Sequence, residues 1–158
     1  MEGKLEKTVS ASRTEQIQIL MTGDMNGFKR LFGGKLVEWI DVVAAVVARR
    51  HSERNVTTVA IDNLHFKAAA HANDTLVLLG QMTYAGRTSM EVRVDTFVEH
   101  LGGGRTLVNR AYLTLVALDD NECPTEVPRL IAETDEEKAE QAAGKLRAQR
   151  RTQNRYGR

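Results

Sequence analysis

The stretch LFGGKLVEWIDVVAAVVARRHS, Leu31 to Ser52, constrains this chain more than any other. Its spacing predicts a long helix from about Gly34 to about His51, apolar on almost every face. Such a helix is stable in water only where every face is covered. One curled sheet covers one side, and a second sheet or a second subunit must cover the other. Into this helix the sequence sets a lone carboxylate, Asp41, with Glu38 one turn earlier. A buried, unpaired carboxylate costs several kcal/mol, so Asp41 needs a partner, water or a function. Arg49, Arg50 and His51 close the helix and suit the negative end of its dipole.

Beyond the helix the pattern changes to period two. NVTTVAIDNL (55–64), TLVLLGQMTYA (75–85), SMEVRVDTFVEHL (89–101) and TLVNRAYLTLVALDD (106–120) read as strands. EQIQILMTG alternates over Gln16 to Leu20 and reads as another. GR at 86–87 and GGGR at 102–105 are turn chemistry, so the last three strands form an antiparallel meander. Pro124 and Pro128 end the sheet. ETDEEKAEQAAGKLRAQRR (133–151) predicts a C-terminal helix, acidic at its start and basic at its end, and TQNRYGR is expected to fray. The expected division is a flexible arm over 1–13, one folded domain over 14–130, and a helix with a basic tail over 131–158. This is an α+β chain. A long helix wrapped by an antiparallel sheet, with dimerisation covering the rest, is the hotdog arrangement.

Composition narrows the function classes. A net charge of +1 gives no global pull towards nucleic acid or membrane. Glu38 and Asp41 interrupt the only apolar run that approaches the roughly 18 to 20 residues of a membrane span. The polar start MEGKLEKTVSASRTEQ lacks the apolar core of a signal peptide. One cysteine, Cys123, allows no internal disulfide, which fits a reducing cytoplasm, and it reads as a spectator thiol. His65, His71 and His100 are scattered without metal spacing, and no G-x-S-x-G elbow accompanies them. The basic end RAQRRTQNRYGR has one Tyr and no stacking pattern, so a solvated helix end is expected rather than a nucleic-acid surface.

Five motifs in one order resemble the cytosolic acyl-CoA hydrolase branch of the hotdog-fold acyl-CoA thioesterases. They are D-x-N at 24–26, FGGKLVEWID at 32–41, ARRHS at 48–52, YAGRTSMEV at 84–92 and AYLTLVALDDN at 111–121. The likeness runs from about Thr14 to Pro128. It implies a cytoplasmic thioesterase of fatty acid metabolism that hydrolyses acyl-CoA to a free acid and CoA. It implies a dimer with joined sheets, a site between subunits and assembly to a hexamer, a trimer of dimers. No metal or redox cofactor is implied, since CoA belongs to substrate and product. The family's catalytic pair, an Asn in the loop before the helix and an acidic residue on it, falls on Asn26 and Asp41. The segment Arg87, Thr88 and Ser89 matches one near bound CoA. Two departures stand out. Gly27-Phe28-Lys29-Arg30 is bulky and basic where members often have small residues, and DNLHFKAAAHAND (62–74) has alanines where a proline is common.

The residue chemistry agrees with these roles. Asp41 can activate water as a general base or attack the thioester carbonyl itself. Asn26 can donate to a developing oxyanion while staying neutral. Gly33 and Gly34 open the helix, and unsatisfied amides at a helix start can hold an oxyanion or a phosphate. Arg87 suits nucleotide phosphates, and the Thr88 and Ser89 hydroxyls suit pantetheine amides. Glu38 beside Asp41 could form an acid/base pair, though a solvated or paired Glu is the simpler expectation. Two other classes use the same groove: a hotdog hydratase, whose His–Asp motif is missing, and a non-catalytic acyl-CoA binder.

Overall fold

The period-two segments form strands close to where alternation puts them. The computed structural model describes residues 5–62 and 64–156. In chain order they form β1 (Glu6–Thr8), β2 (Thr14–Ile19), α1 (Gly33–Ser52), β3 (Asn55–Asp62), β4 (Thr75–Ala85), β5 (Ser89–Glu99), β6 (Arg105–Leu118), β7 (Arg129–Ile131) and α2 (Asp135–Tyr156). Five strands make one curled antiparallel sheet in the order β2-β4-β5-β6-β3, and β4-β5-β6 is the expected meander. Helix α1 lies in its concave face, which is the hotdog arrangement.

The core is the seam between helix and sheet. Leu36, Ile40, Val43, Ala44, Val47 and Ala48 recur at three- and four-residue spacing and are fully buried. Facing them are inward residues of the strands, among them Leu76, Leu78, Met82, Val92, Val94, Leu113 and Leu115. Gly80 allows the closest approach, because a Cβ there would lie 2.7 Å from Val43 Cγ1 and 2.9 Å from Val47 Cγ2. The opposite face of α1 stays uncovered within one chain. Val42 is 51% exposed there, beside exposed Glu38. Strand β3 is a sheet edge, and it carries exposed Val59 and Ile61. Within one chain the β3 edge and the Val42 side of α1 are left open.

Two termini differ from expectation. Where it is described, the arm expected over 1–13 holds regular structure. β1 pairs in parallel with β7, Val9 is buried, and Lys7 Nζ donates to the Arg50 carbonyl at 2.7 Å, capping α1. The first four residues of that expectation lie outside the described residues. In place of the expected frayed tail, residues 152–156 are helical, since α2 continues to Tyr156, and 157–158 lie outside the described residues. The reason is tertiary: α2 packs on the convex face of the sheet through buried ion pairs. Glu91, only 1% exposed, accepts from Arg147 Nη2 at 2.8 Å, from Arg147 Nε at 3.0 Å and from Thr83 Oγ1 at 2.7 Å. Arg147 also stacks 3.9 Å above the Tyr112 ring. Arg147 and Arg151 of the basic helix end therefore turn towards the sheet, while Arg150 stays exposed.

His51 departs from the expected helix-dipole charge. It is fully buried, and its Nε2–H donates to the Pro128 carbonyl at 2.8 Å. Burial holds the imidazole below its usual range, and the Lys7 charge adds to this.

Candidate active site

Asp41 lies at the border between the buried and exposed faces of α1, on the side of β3. Thr58 Oγ1 donates to Asp41 Oδ1 at 2.6 Å. Among the described residues no donor reaches Oδ2, so one oxygen is anchored and the other is free. A β-bulge follows at once, with the register slipping between Thr58 and Ala60. Val59, on the outward-facing register next to Thr58, is exposed. Glu38 contributes nothing to this pair. Its side chain is largely exposed and meets Lys35 at 4.0 Å.

Asn26 shapes the loop before α1. Its Oδ1 accepts from the amides of Phe28 at 2.8 Å and Arg30 at 3.2 Å, and its own amide donates to the Arg30 carbonyl at 2.7 Å. These bonds fix the carboxamide with its oxygen turned into the loop. Nδ2 is the group left to donate elsewhere. Lys29 takes φ 60° to close the turn, a conformation costly for a residue with a Cβ. Asn26 and Gly33 line one cavity of about 470 Å³, together with Arg30, Phe66 and Lys67. Phe32 supplies no side-chain cap, and the amides of Gly33 and Gly34 find no acceptor among the described residues. Those first-turn N–H groups carry the positive end of the dipole.

Asn26 and Gly33 thus belong together, whereas Asp41 lies eight residues further along the helix. At 1.5 Å per residue that is about 12 Å along the axis, beyond the reach of one carbonyl group. The structure also divides the expected CoA-binding segment. Thr88 and Ser89 line a second cavity of about 470 Å³ between β3, β6 and α2, with Arg151 and Thr152 on its helix side. Arg87 is not part of it. Its guanidinium faces Glu126 at 3.9 Å, with both side chains largely exposed.

Sequence reasoning missed Thr58 and Arg151. Thr58 had a readable signal, being a hydroxyl on the inward-facing register of β3 between Val56 and Ala60. Arg151 had none, because only the packing of α2 brings it to the cavity and to Glu91 Oε2, 3.4 Å away.

One hotdog chain thus carries a helix-borne carboxylate, Asp41, a loop asparagine, Asn26, and the open first-turn amides of Gly33 and Gly34. A thioesterase superfamily model matches residues 28–103. An uncharacterized acyl-CoA thioester hydrolase of Bacillus subtilis is 39% identical over 85% of this chain and 75% of its own length. The cytosolic acyl coenzyme A thioester hydrolase of Rattus norvegicus is 32% identical over 89% of this chain, which spans 38% of that relative. A hexameric acyl-CoA thioesterase superimposes with TM-score 0.91 at 37% identity, covering 97% of this chain and 99% of that one. An acyl-CoA hydrolase of Staphylococcus aureus, solved with butyryl coenzyme A, superimposes with TM-score 0.90 at 32% identity over 95% and 92%. That enzyme has also been studied as alanine variants of an aspartate, a threonine and an asparagine. This chain belongs to the acyl-CoA thioester hydrolase family.

Proposed function

We propose that this chain hydrolyses acyl-CoA thioesters to a free carboxylic acid and CoA, in sites that two copies build together. The observation that carries the shared site is the separation of about 12 Å along α1 between Gly33 and Asp41. One thioester carbonyl cannot meet both ends of that helix. It can meet Asp41 of one chain and the Asn26–Gly33 loop of a second chain packed across β3 and the open face of α1. Asn26, Gly33 and Gly34 then act as one group from the partner, since Asn26 and Gly33 share a cavity.

In this reading the free Oδ2 of Asp41 takes a proton from water as the water oxygen bonds to the carbonyl carbon. Asn26 Nδ2 and the Gly33 and Gly34 amides receive the oxyanion. The C–S bond then breaks, and the thiolate recovers the proton from Asp41. Attack by Asp41 itself would form an anhydride that water opens. A single turnover in ¹⁸O-water tests the covalent route: label in Asp41 marks an anhydride opened at the Asp41 carbonyl, which general-base catalysis cannot produce. Thr58 holds Oδ1 and so aims the carboxylate. The aspartate, threonine and asparagine varied in the Staphylococcus aureus hydrolase are the same residue types. Thr88 and Ser89, with Arg151 in place of Arg87, would receive CoA. The reaction draws on water alone, without metal or redox cofactor.

The likeness to a hexameric thioesterase supports a trimer of dimers. No helix among the described residues is long and apolar enough to cross a membrane. A single cysteine and the likeness to a cytosolic hydrolase support a cytoplasmic enzyme acting on fatty acyl-CoA.

A free-thiol assay with acyl-CoAs of graded chain length tests this reading. Thiol release that vanishes in Asp41→Ala, with the fold intact, is expected. Tight CoA binding without thiol release from any acyl-CoA would make the chain a binder. Water addition to an enoyl-CoA without thiol release would make it a hydratase.

A further inference from the structure

The cavity beside Asn26 has a charge that hydrolysis does not require. Arg30 comes to it from the loop before α1, and Lys67 from the segment before β4. Both loops are pinned by backbone bonds: Leu31 N–H to the Ala70 carbonyl at 2.8 Å, and Lys67 N–H to the Val108 carbonyl at 2.8 Å. The Asn109 side chain adds a bond to the His65 carbonyl at 2.6 Å. No carboxylate lines the cavity, and among the described residues neither Arg30 nor Lys67 has an acid within ion-pair distance. The chain as a whole carries only +1, so this is local surplus. Two cations on opposite loops, walled by Phe66 and Val108, focus positive potential on a recess of acyl-group size.

We propose that this cavity selects acyl-CoA substrates whose acyl chain ends in a second carboxylate. The inference rests on the hydrolase reading above and adds the substrate class. Its physical basis is distance. Asn26 and Gly33, the oxyanion donors, line the same cavity as Arg30 and Lys67. An anion held there lies within one short acyl chain of the scissile carbonyl. The phosphates of CoA lie a full pantetheine arm away, on the order of 15 Å when extended, which exceeds the width of a cavity of about 470 Å³. The guanidinium of Arg30 has the fork that matches a carboxylate, and Lys67 adds a point charge. Arg30 is thereby the specificity residue of the loop before α1.

The test compares adipyl-CoA with hexanoyl-CoA, matched in length and differing in the terminal carboxylate. A blank without enzyme removes spontaneous thiol release. The wild type is expected to favour adipyl-CoA in kcat/KM by tenfold or more. In Arg30→Gln/Lys67→Gln that ratio is expected to fall at least tenfold, and in Arg30→Glu/Lys67→Glu to invert. Both sites are exposed, and Arg30→Lys, which keeps the charge, should retain most of the preference. Calorimetric binding of the two thioesters to the Asp41→Asn enzyme reads the same ratio without turnover. A wild type that hydrolyses hexanoyl-CoA without preferring adipyl-CoA overturns the proposal alone. So does a ratio that the double variants leave unmoved, including an equal loss on both substrates, which would assign the cations to the CoA phosphates. No thiol from either substrate counts against the hydrolase reading, and the binding ratio then decides the cavity.

Discussion

Thr58 on β3 and Asp41 on α1 meet through a 2.6 Å hydrogen bond that joins the sheet edge to the carboxylate of the helix. It fixes one carboxylate oxygen and leaves the other open. Asp41→Asn should keep the fold and lower kcat by about a thousandfold, as the role proposed for the carboxylate, base or nucleophile, requires. Thr58→Val should lower kcat by about 10- to 100-fold, the worth of a hydrogen bond to a charged group. The two losses should not add in Asp41→Asn/Thr58→Val, since Thr58 acts through Asp41. Steady-state thiol release on the four proteins checks this, and additive losses would separate the residues.

Buried charge holds α2 on the sheet. Glu91→Gln leaves Arg147 facing a neutral amide, and about 3 kcal/mol of stability should be lost in urea melts. Gly144 lies at the same crossing, where a Cβ would come within 2.8 Å of Tyr84 Cβ and 3.0 Å of Glu91 Oε1. Gly144→Ala should therefore cost about 1–3 kcal/mol, although alanine favours helix.

Acid should weaken the protein through His51. Burial lowers its folded pKa below the ordinary 6.5, so the unfolded chain takes up a proton that the folded chain refuses. This contribution to stability is full above 6.5 and is lost as pH falls through the folded value. The slope reaches at most about 1.4 kcal/mol per pH unit for one proton. His51→Gln can still donate to the Pro128 carbonyl but cannot titrate. Melting profiles should show a shallower loss below pH 6.5 in that variant, and an unchanged slope would acquit His51.

Val59 is 57% exposed on the bulged edge of β3, beside Thr58. If this edge is where two chains join, Val59→Asp should dissociate the assembly and abolish activity together, while helix content persists. Light scattering and thiol release on one sample check it. Dissociated yet active protein would move the interface elsewhere.

The sequence made much of this fold legible, and the limits have physical causes. Period two located β3 to β6, and the apolar spacing located α1, because both patterns report one buried face. β1 escaped because three residues carry no usable period, and its partner β7 lies beyond Pro128. The tail seemed free because Arg147 and Arg151 look solvated until Glu91, 56 and 60 positions earlier, is brought beneath them. In the site, Asp41 announced itself as a charge in an apolar helix. Asn26 needed the family pattern, since a loop asparagine is usually only a turn former. Thr58 showed only as an inward-register hydroxyl, which many strands carry, and the surface pairing of Arg87 with Glu126, 39 positions later, has no local signature.

The claim that the site is shared between two chains has one direct test. Asn26→Ala and Asp41→Ala subunits, each inactive alone, are unfolded together, refolded and verified as mixed dimers. A mixed dimer holds one intact site and one doubly altered site, so random mixing should recover about a quarter of wild-type thiol release. Verified mixed dimers that stay inactive would contradict the account.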